Sequence, residues 1–203
     1  MKQIGTAMMM YIQDADEQYP PQWFEKPPSA TWTGKTWRES ILPYSKSQQI
    51  YVCPSNPTND QSTADNYYTG TFRVSYNCNA QTVIRDVFSG GQTVTLAEVT
   101  APAQTIAIVE VWASKALASW GGMDTAAYNA DINPDYDGHR NSLFSGHANM
   151  SNYMFADGHA KAFRPTATKY NNAQNSYWYL DNRACTSNCD AMLQASEKRT
   201  FIP

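Results

Sequence analysis

Tyr153-Met154-Phe155-Ala156-Asp157-Gly158-His159-Ala160-Lys161-Ala162-Phe163 is the stretch whose reading decides the fold. Two runs rich in strand formers flank Asp157-Gly158, and an Asp-Gly pair in that setting is a strong hairpin signal. A two-residue type I′ turn is the expectation, because both central residues then need positive φ, which Asp and Gly tolerate. In that register Phe155 faces Ala160 and Tyr153 faces Ala162, giving one apolar face. His159, Lys161 and Phe163 fall on the other. An isolated hairpin is marginal in water, so it needs more strands or a helix to pack against.

Both lie upstream. Thr105 to Trp112, with Ile106, Ala107, Ile108, Val109 and Val111, is the most continuous apolar run and reads as a central strand. Thr71 to Cys78 alternates, with Phe72, Val74 and Tyr76 on one face. Ile50-Tyr51-Val52-Cys53-Pro54 and Thr93-Val94-Thr95-Leu96 are shorter strand-like pieces. A short helix is expected over Thr36 to Tyr44. A first helix is expected over Lys2 to Gln18, ending before Tyr19-Pro20-Pro21. Its apolar stripe places Ile4, Met8, Tyr11 and Ile12 against the body of the protein, while Asp14, Asp16 and Glu17 crowd the end where the helix dipole disfavours negative charge. Residues 20–37 read as a Pro- and Trp-rich ordered loop, and Trp120 to Asn141 as a long Gly-, Asp- and Asn-rich one. The segment 165–203 reads as a polar, aromatic tail that wraps the surface. Neither an internal repeat nor a linker is visible, so residues 1–203 are taken as one domain.

Composition narrows the function. Only 16% of the 203 residues are charged, against roughly 25% in ordinary soluble domains. Aromatics make up 13%, with 6 Trp and 13 Tyr, so the chain has the means to fill a core and is not disordered. With 15 basic residues against 18 acidic ones, the net charge of −3 argues against sequence-independent nucleic-acid binding. No window reaches the ~18 consecutive apolar residues of a membrane span. The start of the chain lacks the apolar core of a signal peptide.

Four cysteines, Cys53, Cys78, Cys185 and Cys189, and an uncharged polar surface favour disulfides outside the cytosol. Cys53–Cys78 and Cys185–Cys189 are the favoured pairs, although sequence leaves connectivity open. Zinc is the rival reading, but the Cys-x-x-Cys spacing of structural zinc sites is missing. The three histidines, His139, His147 and His159, read as loop-backbone partners rather than ligands. Asp131-Ile-Asn133-Pro-Asp135-Tyr-Asp137-Gly138 alternates oxygen side chains before a Gly. Asp131, Asn133, Asp135 and Asp137 are therefore candidate calcium ligands, though the bidentate Glu of an EF-hand is replaced by Phe144. Glu110 closes the central strand and reads as a buried or rim carboxylate bonded to the neighbouring loop, through His139 or Arg140. No phosphate loop or Gly-x-Ser-x-Gly elbow is present, and an enzyme is not expected. The tryptophans Trp23, Trp32, Trp37, Trp112, Trp120 and Trp178, with Tyr177 and Tyr179, allow a carbohydrate- or surface-binding module as the alternative.

His147, then nine residues, then Asp157-Gly158 resembles the signature of a family of prepilin-type processing-associated, pilin-like proteins, DUF1559. Lys2 to Tyr11 resembles that family's helix after the membrane anchor, and Asp14 to Pro20 its acidic exit. Cys53-Pro54-Ser55, Ser75-Tyr76-Asn77-Cys78-Asn79 and Ala101 to Ile106 leading to Glu110 are similar to its middle motifs. Gly138-His139-Arg140-Asn141 and Asn152 to His159 follow in order. The resemblance implies a pilin-like α+β fold, with an N-terminal helix packed on an antiparallel sheet bearing long loops. It also implies a filament subunit of type IV pilus or type II secretion pseudopilus kind, anchored through an apolar helix upstream of residues 1–19. On this reading the protein is extracytoplasmic and bacterial, self-assembles with identical or related subunits, and binds no nucleic acid. Secretion pseudopilins often bind calcium near this end of the fold. Asn149-Met-Ser151 is a formal glycosylation sequon.

Overall fold

The computed structural model describes residues 1–22, 36–56, 75–79, 82–85, 92–111, 122–123, 143–169, 177–178, 180, 193–194 and 196–197. Two α-helices are among them, α1 (Lys2–Asp14) and α2 (Trp37–Ser45), with strands β1 (Tyr76–Asn79), β2 (Ile106–Glu110), β3 (Gly122–Met123), β4 (Ser151–Phe155) and β5 (Ala160–Phe163). The strands form one sheet in the order β3-β1-β2-β4-β5. Four of them, β1, β2, β4 and β5, pair antiparallel, and the two-residue β3 adds to β1 in parallel. The protein is therefore α+β. No helix among the described residues is long and apolar enough to cross a membrane.

Strand β2 is central because both of its faces can be buried. All five of its residues are buried, and a one-residue irregularity between Ile106 and Ile108 divides them between two cores. Ala107 and Ile108 face the layer formed by α1 and α2, where Ile4, Met8 and Ile12 are also buried. Tyr11 is only half-buried and meets the Tyr44 ring edge-on at 6.1 Å. On the opposite face Ile106, Val109, Tyr153 and Phe155 pack with Trp178 and Leu193. The described part of the tail does more than wrap the surface: Trp178 and Leu193 are fully buried and complete this second core.

Helix α1 stops at Asp14, four residues before the sequence expectation. Asp16 and Glu17 take left-handed φ of 50° and 60°, which lets the Glu17 amide bond back to Ile12 and turns the chain outward. Tyr19 and Glu17 then pair with Val94 and Leu96, so the expected strand at Thr93 to Leu96 is a bridge at Thr95 followed by a 3₁₀ turn. Ile50 to Pro54 likewise is not a strand: Gln48–Tyr51 is a 3₁₀ turn capped by Ser47. Helix α2 starts where a Thr36/Glu39 capping box allows, and its buried Arg38 donates to the Tyr76 carbonyl at 2.7 Å and Asn77 Oδ1 at 3.0 Å, fastening the helix to β1.

The deciding hairpin has three loop residues, not two. Phe155 N–H donates to the His159 carbonyl, Gly158 N–H to Phe155, and Gly158 alone in the turn has positive φ, at 85°. That is a type I turn followed by a glycine bulge. The register consequently moves by one: Met154 opposes Ala160 and Tyr153 opposes Lys161. Every β5 side chain changes face relative to the type I′ expectation. Ala156 leaves the strand because it is buried beneath α1 and its N–H is taken by the Thr105 carbonyl at 2.8 Å. Phe155 and His159 then stack at 4.3 Å, with Phe163 beside them on the same face.

The turn is held from above. A Cβ on Gly5 would lie 2.0 Å from the Gly158 carbonyl oxygen, so the helix and turn backbones touch directly. Tyr19 Oη donates to the Ala156 carbonyl at 2.8 Å. Burial pushes the phenols of Tyr19, Tyr51, Tyr76 and Tyr153 up, that of Tyr51 to about 12. Above about pH 10 the unfolded chain releases phenolic protons that the folded chain keeps, so stability falls as pH rises. Melting temperature should hold steady to about pH 9 and then drop through pH 12; a flat profile to pH 12 would contradict the burial of these phenols.

Candidate functional site

Three polar side chains that are distant in sequence meet at one end of β2, on the α1 side of the sheet. Glu110 is the last residue of β2, and its side chain is wholly buried. Its Oε2 accepts from Asn152 Nδ2 at 2.6 Å, and its Oε1 lies 3.1 Å from His147 Nε2. The same His147 nitrogen lies 3.5 Å from Cys53 Sγ. The donor atoms of Cys53, Glu110 and His147 all fall within 4.8 Å of one another. Cys53 and Glu110 are buried, while the His147 side chain is 28% exposed, so solvent reaches the cluster from the imidazole side.

Each side chain is placed by local structure. The Cys53 amide donates to Ser75 Oγ at 2.9 Å, and the Ser75 amide donates to Tyr51 at 2.7 Å, which ties the Cys53 loop to the start of β1. Asn56 Nδ2 donates to the Val111 carbonyl at 2.9 Å and holds the other end of that loop against the exit of β2. His147 precedes a tight turn closed by the Met150 amide on the His147 carbonyl, with Ala148 and Asn149 at φ of 54° and 62°. Two successive left-handed residues without glycine are costly, about 1 kcal/mol or more for Ala148. Phe144 packs its ring edge-on against the imidazole at 5.2 Å.

The expected Cys53–Cys78 disulfide is not made; neither residue is in a disulfide. Cys53 is instead tied by its amide to the Ser75 hydroxyl, three residues ahead of Cys78. Burial, and after it the neighbouring Glu110, push the Cys53 thiol up to about 11. That is opposite to the activation of a nucleophilic cysteine. A Cys–His–acid relay would also use both imidazole nitrogens, one for each partner, whereas here one nitrogen faces both. The cluster therefore lacks the geometry of a cysteine nucleophile and has that of convergent ligands.

The remaining sequence candidates fall elsewhere. Asp157 and His159 pair with each other at 2.6 Å on the exposed hairpin. Asp157 and Gly158 form the turn beneath Gly5, and His147 is the member of that motif that joins Glu110. Glu110 is buried as expected, but its partners are His147 and Asn152; the expected partners His139 and Arg140 lie outside the described residues. Asp131, Asn133, Asp135, Asp137, Cys185 and Cys189 lie outside the described residues, as do Trp23, Trp32, Trp112 and Trp120. Trp37 and Trp178 are completely buried, which removes those two as surface stacking platforms. The convergence of Cys53 with Glu110 and His147 was not foreseen from sequence. The available signal was that each of three separate motifs contributes one side chain able to hold a metal.

A family model described as a protein of unknown function, DUF1559, matches residues 1–132. The chain belongs to this family. The DUF1559 match includes α1, α2, Cys53 and Glu110, whereas His147 and the hairpin lie beyond it. No curated protein and no solved structure matches the chain.

Proposed function

We propose that this DUF1559 protein is a structural subunit of an extracytoplasmic filament, of type IV pilus or type II secretion pseudopilus kind, and acts by assembly rather than catalysis. In this reading α1 is the outer part of a longer helix whose apolar portion forms the filament core and anchors the subunit in the membrane. The observation that carries the reading is the docking of α1. Its Ile4, Gly5, Ala7, Met8 and Ile12 are buried against an antiparallel sheet, and its backbone touches the hairpin turn at Gly158. The opposite stripe, including Met10 at 45% exposure, stays available for a neighbouring subunit. The low content of charged residues suits an exported and assembled protein.

The test uses the product of the complete gene, expressed in its own host with a Met10→Cys substitution in the exposed stripe. Oxidative cross-links between subunits, together with antibody label along filaments sheared from the cell surface, are the expected result. A product found only as monomer in the soluble fraction, with no cross-link, would overturn the reading.

A further inference from the structure

We propose that Cys53 Sγ, Glu110 Oε1 and His147 Nε2 form a three-ligand site for one divalent transition-metal ion, zinc by the nature of the donors, with the fourth position open to water. The proposal stands apart from the filament reading and depends only on this cluster.

Two of the three separations fit a tetrahedral ion. Bonds of about 2.3 Å to sulfur and about 2.0–2.1 Å to nitrogen and oxygen put tetrahedral neighbours about 3.6 Å apart for S and N and about 3.3 Å apart for N and O. The corresponding separations are 3.5 Å for Cys53–His147 and 3.1 Å for His147–Glu110. The third pair, Cys53 and Glu110, lies within 4.8 Å, against about 3.6 Å for sulfur and oxygen on a tetrahedral ion.

Valence points the same way. One imidazole nitrogen either carries a proton and donates, or has a lone pair and accepts. Nε2 of His147 therefore makes one full hydrogen bond, yet it faces a thiol and a carboxylate together. A cation would take a lone pair from each of the three at one point, in place of the bonds that Cys53 makes to Glu110 and Tyr76. On binding, the Cys53 S–H bond breaks, a sulfur–metal bond forms and the proton leaves to solvent, with no change of oxidation state. The ion's two positive charges balance one thiolate and one carboxylate, so the buried site becomes neutral. Thiolate with imidazole and carboxylate suits zinc, whereas calcium and magnesium prefer all-oxygen sets.

The surroundings are built for orientation. Asn152 occupies the second oxygen of Glu110 and leaves Oε1 directed at the other two ligands. The Ser75 hydroxyl fixes the backbone beneath Cys53. The left-handed pair Ala148 and Asn149 turns the chain directly after His147, and strain of this kind gathers where a functional geometry is imposed. Three protein ligands, with the exposed edge at His147, match a site that keeps one position for water.

The test is titration of the chelator-stripped full chain with zinc by calorimetry, and with cobalt by absorption. The expected result is one ion per chain, a sulfur-to-cobalt charge-transfer band, and visible bands of tetrahedral intensity. Cys53→Ser should remove the charge-transfer band, and His147→Gln should weaken zinc binding at least 100-fold. Asn152→Ala should weaken it about 10- to 100-fold while the three ligands remain. His159→Gln, at the exposed hairpin, should bind like the parent. Because His147 is partly exposed, its variant should keep the parent's circular dichroism, which separates loss of a ligand from loss of the fold. Absence of binding by the parent would overturn the proposal. So would binding unchanged in both Cys53→Ser and His147→Gln, or binding abolished in a Cys185→Ser/Cys189→Ser double variant, which would place the metal on the tail.

Discussion

Gly5→Ala should destabilise the protein by about 3 kcal/mol, with a drop in melting temperature of about 10 °C. The sign is the point. Replacing glycine by alanine inside a helix ordinarily stabilises by about 1 kcal/mol, since alanine is the better helix former. Here the new methyl would lie 2.0 Å from the Gly158 carbonyl oxygen and 3.0 Å from its carbonyl carbon, both backbone atoms of the hairpin turn. Neither can swing away as a side chain would. Helix α1 must lift off the turn, and Ile4 and Met8 lose part of their burial with it. Gly5→Val should prevent folding outright. Thr6→Ala, one position along on the exposed side, provides the control and should change the melting temperature by no more than a degree or two. A stabilised Gly5→Ala variant would mean that helix and turn do not meet as described.

Trp178→Ala should cost about 3–5 kcal/mol, roughly 10 °C or more in melting temperature. Trp178 is fully buried on the sheet face opposite the helices, its ring edge-on to Tyr153 at 6.2 Å. Its Nε1 donates to Thr168 Oγ1 at 2.9 Å, and its carbonyl accepts from Asn79 Nδ2 at 3.1 Å. Truncation opens a cavity and removes the donor to Thr168 Oγ1, whose hydroxyl keeps its own bond to the Pro165 carbonyl. Trp178→Phe keeps most of the volume and should recover more than half of the loss. Equal effects of the two variants would assign the stability to the hydrogen bond alone, and near-parent stability of both would remove Trp178 from the core.

The central strand was legible because burial on both faces leaves a continuous apolar run, and Ile106 to Val109 has one. The helix stripe was legible because Ile4, Ala7, Met8 and Ile12 recur at the helical period. The hairpin was legible in place but not in register. Ala156 is apolar and extends the strand pattern by one residue, yet it belongs to the turn, since its amide is captured by Thr105. Period-two patterning cannot see a capture by a residue so far away in sequence. The role of Trp178 was hidden for a related reason: the short run Tyr177-Trp178-Tyr179-Leu180 is flanked by polar residues and has no period to assign a face. The Cys53, Glu110 and His147 cluster was illegible as a unit because two loops and the end of β2 deliver it, and the loops are fastened by the side chains of Ser75 and Asn56 and by the turn after His147, which no local pattern announces.

The clamp of α1 on the hairpin also bears on the order in which the chain can fold. Tyr19 and Ala156, whose hydrogen bond closes that contact, are 137 positions apart. A helix of 13 residues is marginal by itself in water; α1 meets α2 early, as at Tyr11 and Tyr44, but its contact with the hairpin turn waits until the last two strands exist. Loop-closure entropy must be met before the contact is made, which is the condition of slow-folding, high-contact-order proteins. During synthesis the first helix therefore has only the neighbouring α2 to pack on, and its docked face stays incomplete until the turn at Gly158 is made.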